Sequence, residues 1–75
     1  MKHRVPDLDA AIGARLRAAR EHRNVTAVEM AKRLGVSIPA LSALERGASA
    51  PQASMVARYS HLLRMPADFF FDDLF

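Results

Sequence analysis

The sequence predicts an all-α fold, a compact bundle of five helices in one domain. Three observations carry that reading. Apolar residues recur at spacings of three and four rather than two. Helix starts and stops are marked by capping residues in quick succession. Hydrophobic residues make up 51% of a chain of 75, enough for one small core close to the lower size limit for folding without staples. Cysteine is absent, which removes disulfide scaffolds and thiolate metal sites and fits a reducing compartment.

Residues 1–8 read as a basic N-terminal arm and residues 9–75 as the folded domain. The arm leads into no apolar run, so neither a signal peptide nor a membrane span is expected, and a cytoplasmic location follows. The first helix runs from about Asp9 to His22. Ile12, Leu16 and Ala19 fall on one face, and Asp7 or Asp9 caps its start, where a carboxylate also meets the positive end of the helix dipole. The second helix opens with Thr26-Ala27-Val28-Glu29, a capping box in which each side chain satisfies the other residue's amide. Ala27, Met30, Ala31 and Leu34 form its stripe, and Gly35 stops it, since the residue after a helix often needs positive φ. Ser37 caps the third helix, Pro39 is tolerated in its first turn, Leu41 and Leu44 point inward, and Gly47 ends it. After the loop Ala48-Ser49-Ala50-Pro51, a fourth helix reaches about Arg64 with Met55, Val56, Tyr59, Leu62 and Leu63 on its apolar side. Pro66 opens a short fifth helix through Phe71, with Asp68 in its first turn.

Charge is unevenly placed. The net value is +3, but residues 65–75 hold Asp68, Asp72 and Asp73 and no base, leaving 11 bases against 5 acids in residues 1–64. A basic body beside an acidic tail suits a polyanion held away from the C-terminus; an ordinary solvated surface is the alternative.

The informative stretch is Ala27 to Arg46. Two helices joined by so few residues cross steeply only if the contact residue is small and the turn residue goes left-handed. Ala31 and Gly35 meet those needs, and Val36, Leu41 and Leu44 fill the space between the helices. A helix, a short glycine turn and a second helix form the DNA-reading helix-turn-helix unit. From Ile12 to Phe71 the chain resembles the Cro and repressor (XRE) family of transcriptional regulators. The matching residues are Ile12-Gly13, Leu16, Arg20, Thr26 to Val36, Leu41-Ser42, Leu44-Glu45-Arg46-Gly47, Pro51, Leu62 and Phe70-Phe71. The resemblance implies a lambda-repressor-like bundle, a homodimer, and a palindromic operator in double-stranded DNA with the third helix in the major groove. It also implies that Arg20 pairs with Glu45, as a clasp between helices one and three.

The chain departs from that family where bases are read. The third helix offers Ser37, Ile38, Pro39, Ser42 and Ala43 on its exposed side, none of them a long polar side chain able to make the bidentate contacts that discriminate bases. What remains is apolar contact with thymine methyls, hydrogen bonds from the two serines, and Arg46 just beyond. Phosphate contacts are expected from the helix starts at Thr26 and Ser37 and from Arg33, Arg46 and Gln52, with a solvated surface charge as the alternative for each arginine.

Catalytic signals are absent. Ser60 and His61 are neighbours and cannot face each other as nucleophile and base. His3, His22 and His61 share no ligand spacing, and three scattered glycines make no phosphate-cradling loop. No enzyme, metal, cofactor or small-molecule substrate is expected. All four phenylalanines fall in the last seven residues, too many for so small a core to absorb. An association surface built on Phe69, Phe71, Leu74 and Phe75 is the reading, closure of the core being the other. Two functions stay open: a dimeric DNA-binding repressor, and a protein-interaction module that keeps the fold with little DNA reading. The apolar Ile38-Pro39-Ala40 face motivates the second.

Overall fold

A computed structural model describes residues 8–70. Four α-helices follow one another: α1 (Leu8–His22), α2 (Ala27–Leu34), α3 (Ile38–Arg46) and α4 (Ala53–Leu63), then a 3-10 turn at Ala67–Phe70. No strand occurs among the described residues. The expected five helices are therefore four. Where a fifth α-helix was expected there is one tight turn, in which the Phe69 amide donates to the Pro66 carbonyl at 3.1 Å. Four residues suffice to drop the Phe70 ring into the core, where it is fully buried. α1 includes Leu8; the rest of the expected arm lies outside the described residues.

The core forms from one apolar face of each helix. Ile12, Leu16 and Ala19 of α1 meet Met30, Ala31 and Leu34 of α2, Leu41 and Leu44 of α3, and Val56, Tyr59 and Leu63 of α4. The Tyr59 and Phe70 rings meet edge to face with centroids 6.4 Å apart, the geometry that aromatic quadrupoles prefer. All four helices end alike. Asn24 (φ 60°), Gly35 (φ 73°), Gly47 (φ 76°) and Arg64 (φ 58°) take the left-handed conformation, and the amides of Val25, Val36, Ala48 and Met65 turn back to carbonyls five residues earlier. This closes the last carbonyls of each helix.

α1 lies very close to the C-terminal half of α3. A Cβ on Gly13 would fall 2.6 Å from the Glu45 carbonyl oxygen, so only a glycine lets the two backbones approach this far. The same approach brings Gly47 against Ala10, where a Cβ would stand 2.5 Å from the Ala10 nitrogen.

Backbone cannot rotate out of the way as a side chain can. Gly13→Ala is therefore expected to cost about 3 kcal/mol by forcing α1 off α3. Gly35→Ala meets no atom within 4 Å and should lose only the conformational cost of positive φ, about 1 kcal/mol. Urea unfolding of both variants tests this; a loss at Gly13 no larger than at Gly35 would show that the helices slide apart freely.

Candidate functional site

The ends of α2 and α3 are set by local sequence. Thr26 takes extended backbone and its hydroxyl accepts the Glu29 amide at 3.1 Å; Ser37 does the same for the Ala40 amide at 3.1 Å. The Glu29 carboxylate does not make the reciprocal half of a capping box: it accepts from Arg33 Nε at 2.9 Å. Gly35 turns the chain, and Ala31, 2% exposed, occupies the crossing point. Pro39 sits in the first turn of α3, where its missing N–H costs no helical bond. Two helices in this relation leave the start of α3 uncovered, with Ser37, Ile38, Pro39 and Ala40 all exposed, Ser42 and Ala43 half-buried and Arg46 exposed at the far end.

A buried polar cluster sets how α3 stands on the bundle. Arg20 at the end of α1 donates from Nε to Glu45 Oε2 at 2.8 Å and from Nη2 to Oε1 at 3.1 Å, a bidentate fork on a carboxylate of α3. Its Nη1 reaches the Val25 carbonyl at 2.8 Å, in the connection to α2. From α4, the Tyr59 hydroxyl donates to Glu45 Oε2. Burial, and then the Glu45 carboxylate holding its proton, push the Tyr59 phenol well above its ordinary value. The hydrogen bond to Glu45 raises Arg20 above its own, against the effect of burial.

The sequence-predicted residues fall into distinct places. Ile38, Ser42 and Arg46 share one side of α3, and with Ala27 and Arg17 they line an open groove between α3 and the α1–α2 side. Arg46 is exposed and its Nε donates to Ser42 Oγ at 3.1 Å, so the serine expected to meet bases already has a partner. Ala40 and Gln52 lie on the other flank of α3, in an apolar groove with Val36, Ser49, Ala50 and Met55. Gln52 starts α4 without using its side chain as a cap. Ala43 is half-buried and contributes its carbonyl to the helix end. Arg33 stands apart, beside Ala57, Arg58 and His61 of α4. Phe69 is 47% exposed and rests edge-on against buried Phe70, above a concavity lined by Ala18, His22 and Met65. Phe71, Leu74 and Phe75 lie outside the described residues.

Three residues were missed in the sequence. Tyr59 reads there as plain core, because nothing local signals that its hydroxyl meets a carboxylate 14 residues away. Arg58 donates from Nη2 to the Leu34 carbonyl at 2.8 Å, closing the end of α2 from α4; a basic residue on α4 gives no hint of that partner. Arg17 borders the same groove as Arg46 and could have been noticed as one turn before Arg20. Among the described residues no group of side chains could hold a metal ion, and no helix is long and apolar enough to cross a membrane.

The arrangement presents a short helix on a rigid base, with a groove on each flank and cationic groups on one. Comparison with known proteins agrees with that geometry. Residues 11–68 match a helix-turn-helix domain family. A Rhodospirillum rubrum protein described as an uncharacterized transcriptional regulator in the ATPase CF(0) region is 34% identical over 67 residues, which is 89% of this chain and 62% of that protein. This chain thus spans less than two thirds of that relative. Two crystal structures of the clp gene regulator ClgR from Corynebacterium glutamicum superpose with a TM-score of 0.83 each. One is 34% identical and covers 89% of this chain and 87% of its own; the other is 35% identical and covers 88% and 70%.

The cluster generates two expectations. Glu45→Ala strands the Arg20 guanidinium out of water, which costs about 3 kcal/mol, a fall in melting temperature of roughly 10–20 °C for a domain of this size. An unchanged melting temperature would show that the clasp holds nothing. The second concerns pH. The folded protein keeps the Tyr59 proton above the ordinary value of 10.0, where the unfolded chain releases it. The contribution to stability is therefore complete below pH about 10 and declines above it, by up to about 1.4 kcal/mol per pH unit. Tyr59→Phe should flatten that decline in urea titrations run from pH 9 upward; identical slopes in parent and variant would contradict it.

Proposed function

Because the chain belongs to the helix-turn-helix domain family, we propose that it is a sequence-specific DNA-binding transcriptional regulator. It acts as a repressor, binding a palindromic operator as a homodimer with α3 in the major groove. The observation that carries the reading is the uncovered face of α3: Ser37, Ile38 and Pro39 stand exposed on a helix otherwise locked to the bundle. Relatives described as regulators support it. Thr26 and Ser37 bring helix N-termini to the phosphates, and Arg46 and Gln52 flank the helix on its two sides. Arg33 belongs to a peripheral contact rather than to the central face.

Direct hydrogen-bond readout is thin in this scheme. Ile38, 47% exposed, meets thymine methyls, and half-site spacing and DNA shape supply the rest of the specificity. The small residues Ala40, Ser42 and Ala43 let the helix backbone approach the base edges closely. Repression follows from occupancy: a dimer seated on its operator excludes other proteins from it. Exposed Phe69 and the concavity beside it suit a two-fold contact with a second copy, extended by Phe71, Leu74 and Phe75, which would set two α3 helices about 34 Å apart, one DNA turn.

A second reading, a protein-interaction module, is favoured by the apolar groove around Val36, Ala40 and Met55 and by the uncharged loop Ala48-Ser49-Ala50. A salt titration of binding to a selected operator and to random DNA separates the two. The DNA reading predicts that log affinity falls with log salt at a slope of at least about −4 for the dimer. Arg46→Ala should weaken binding several-fold. Ile38→Ala should weaken operator binding and spare random DNA, since phosphates do not meet it. Binding to neither DNA at about 50 mM salt would favour the interaction module. Phe69→Glu, if still folded, should sediment as a monomer; sedimentation like the parent would remove Phe69 from the interface.

A further inference from the structure

The groove beside α3 has a wall that belongs to neither helix of the reading unit. Arg17 of α1 lines it together with Arg46, Ile38, Ser42 and Ala27. Arg20 and Glu45 also reach the groove, but they are bound to each other and to Tyr59 and Val25. Arg17 and Arg46 are thus its cations whose terminal amines have no acceptor among the described residues. Each is tethered through Nε alone, Arg17 to Glu21 Oε2 at 3.1 Å and Arg46 to Ser42 Oγ at 3.1 Å. A guanidinium held at Nε keeps both Nη groups for the two oxygens of a phosphate, with less rotamer freedom to lose on binding. The tethers differ in charge. Ser42 is neutral, whereas Glu21 is an exposed carboxylate bonded to the guanidinium itself.

We infer that Arg17 of α1 binds a DNA backbone phosphate in the groove it shares with Arg46, and that Glu21 both orients this arginine and attenuates its pull. The inference rests on the DNA-binding reading and adds α1 to the interface. Glu21 accounts for the charge dependence: its carboxylate repels the incoming phosphate, yet its hydrogen bond holds Arg17 in place. Removing the charge while keeping the acceptor should therefore tighten binding, and removing Arg17 should loosen it.

The test is operator binding by the full chain across a salt series, by fluorescence anisotropy, for the parent, Arg17→Gln, Glu21→Gln and Arg23→Gln. Arg23 is exposed and lies outside the groove. Both ends of the Arg17–Glu21 pair are more than half exposed, so these variants keep the fold, which unfolding curves verify. Arg17→Gln should weaken binding about five- to tenfold and make the salt slope shallower by about 0.9 for each subunit bound. Glu21→Gln should tighten binding about two- to threefold. Arg23→Gln should match the parent. If the parent binds DNA and Arg17→Gln binds with the same affinity and slope, the phosphate contact is overturned while DNA binding stands. If Arg17→Gln weakens binding but Glu21→Gln weakens it too, the attenuating role of Glu21 is overturned. If the parent binds no DNA, both readings fall together.

Discussion

Glu45 is a carboxylate almost wholly buried between α3 and the bundle, at the edge of the groove, and α1 and α4 converge to satisfy it. Arg20 forks onto it from α1 and Tyr59 donates to it from α4. The third arginine amine continues to the Val25 carbonyl, on the connection into α2. Three helices thereby meet at one carboxylate, and the connection into α2 is tied to it through Arg20. A buried ion pair adds little net stability over well-packed apolar residues, but breaking one is costly, so its effect is to forbid alternative arrangements. The arrangement it enforces is the pose of α3. Glu45 is the residue before Arg46 at the outer end of that helix, and a shift of α3 along or around its axis would pull the carboxylate out of the fork. Gly13 acts in the same direction, since the contact it permits between α1 and α3 lets the short Arg20 to Glu45 bonds form.

The outer face of α3 is then free of structural duty. Its inner residues Leu41 and Leu44 are buried and its ends are capped by Ser37 and Gly47. Ile38, Pro39 and Ala40 hold nothing together. Such a face, rigidly presented and chemically plain, suits close approach to a groove edge better than it suits long-range hydrogen bonding. Charge is supplied from its surroundings instead, by Arg46 at one end, by Arg17 across the groove, and by the helix starts at Thr26 and Ser37.

Much of this was legible in the sequence because it is local. The Thr26 and Ser37 caps, the glycine stops at 35 and 47 and the small Ala31 are each dictated by a few neighbouring residues, and they appear where the pattern puts them. What was not legible depends on distance through space. The tyrosine hydroxyl on Glu45, the arginine of α4 that closes α2, and the need for glycine at position 13 arise only once the helices are packed. The 3-10 turn differs from the expected helix for a related reason: proline and aspartate mark a start, but no local pattern shows that Phe70 enters the core within one turn of it. In the candidate site, sequence spacing alone groups Arg33 with α3 and Arg46, whereas in the folded chain Arg33 pairs with Glu29 beside a concavity of α4 and Arg17 joins Arg46 in lining one groove.

The central claim is that a clasped, uncovered α3, with its flanking groove, is the surface that meets DNA. Backbone amide chemical shifts of the isotopically labelled protein, followed as operator DNA is added, test it most directly. The largest changes should cluster at Ala27, at residues 37–42 and at Arg46, with a smaller set at Arg17 and Gln52 and little change at residues 57–62. Changes centred on α4, or on the Phe69 surface, with α3 unmoved would contradict it.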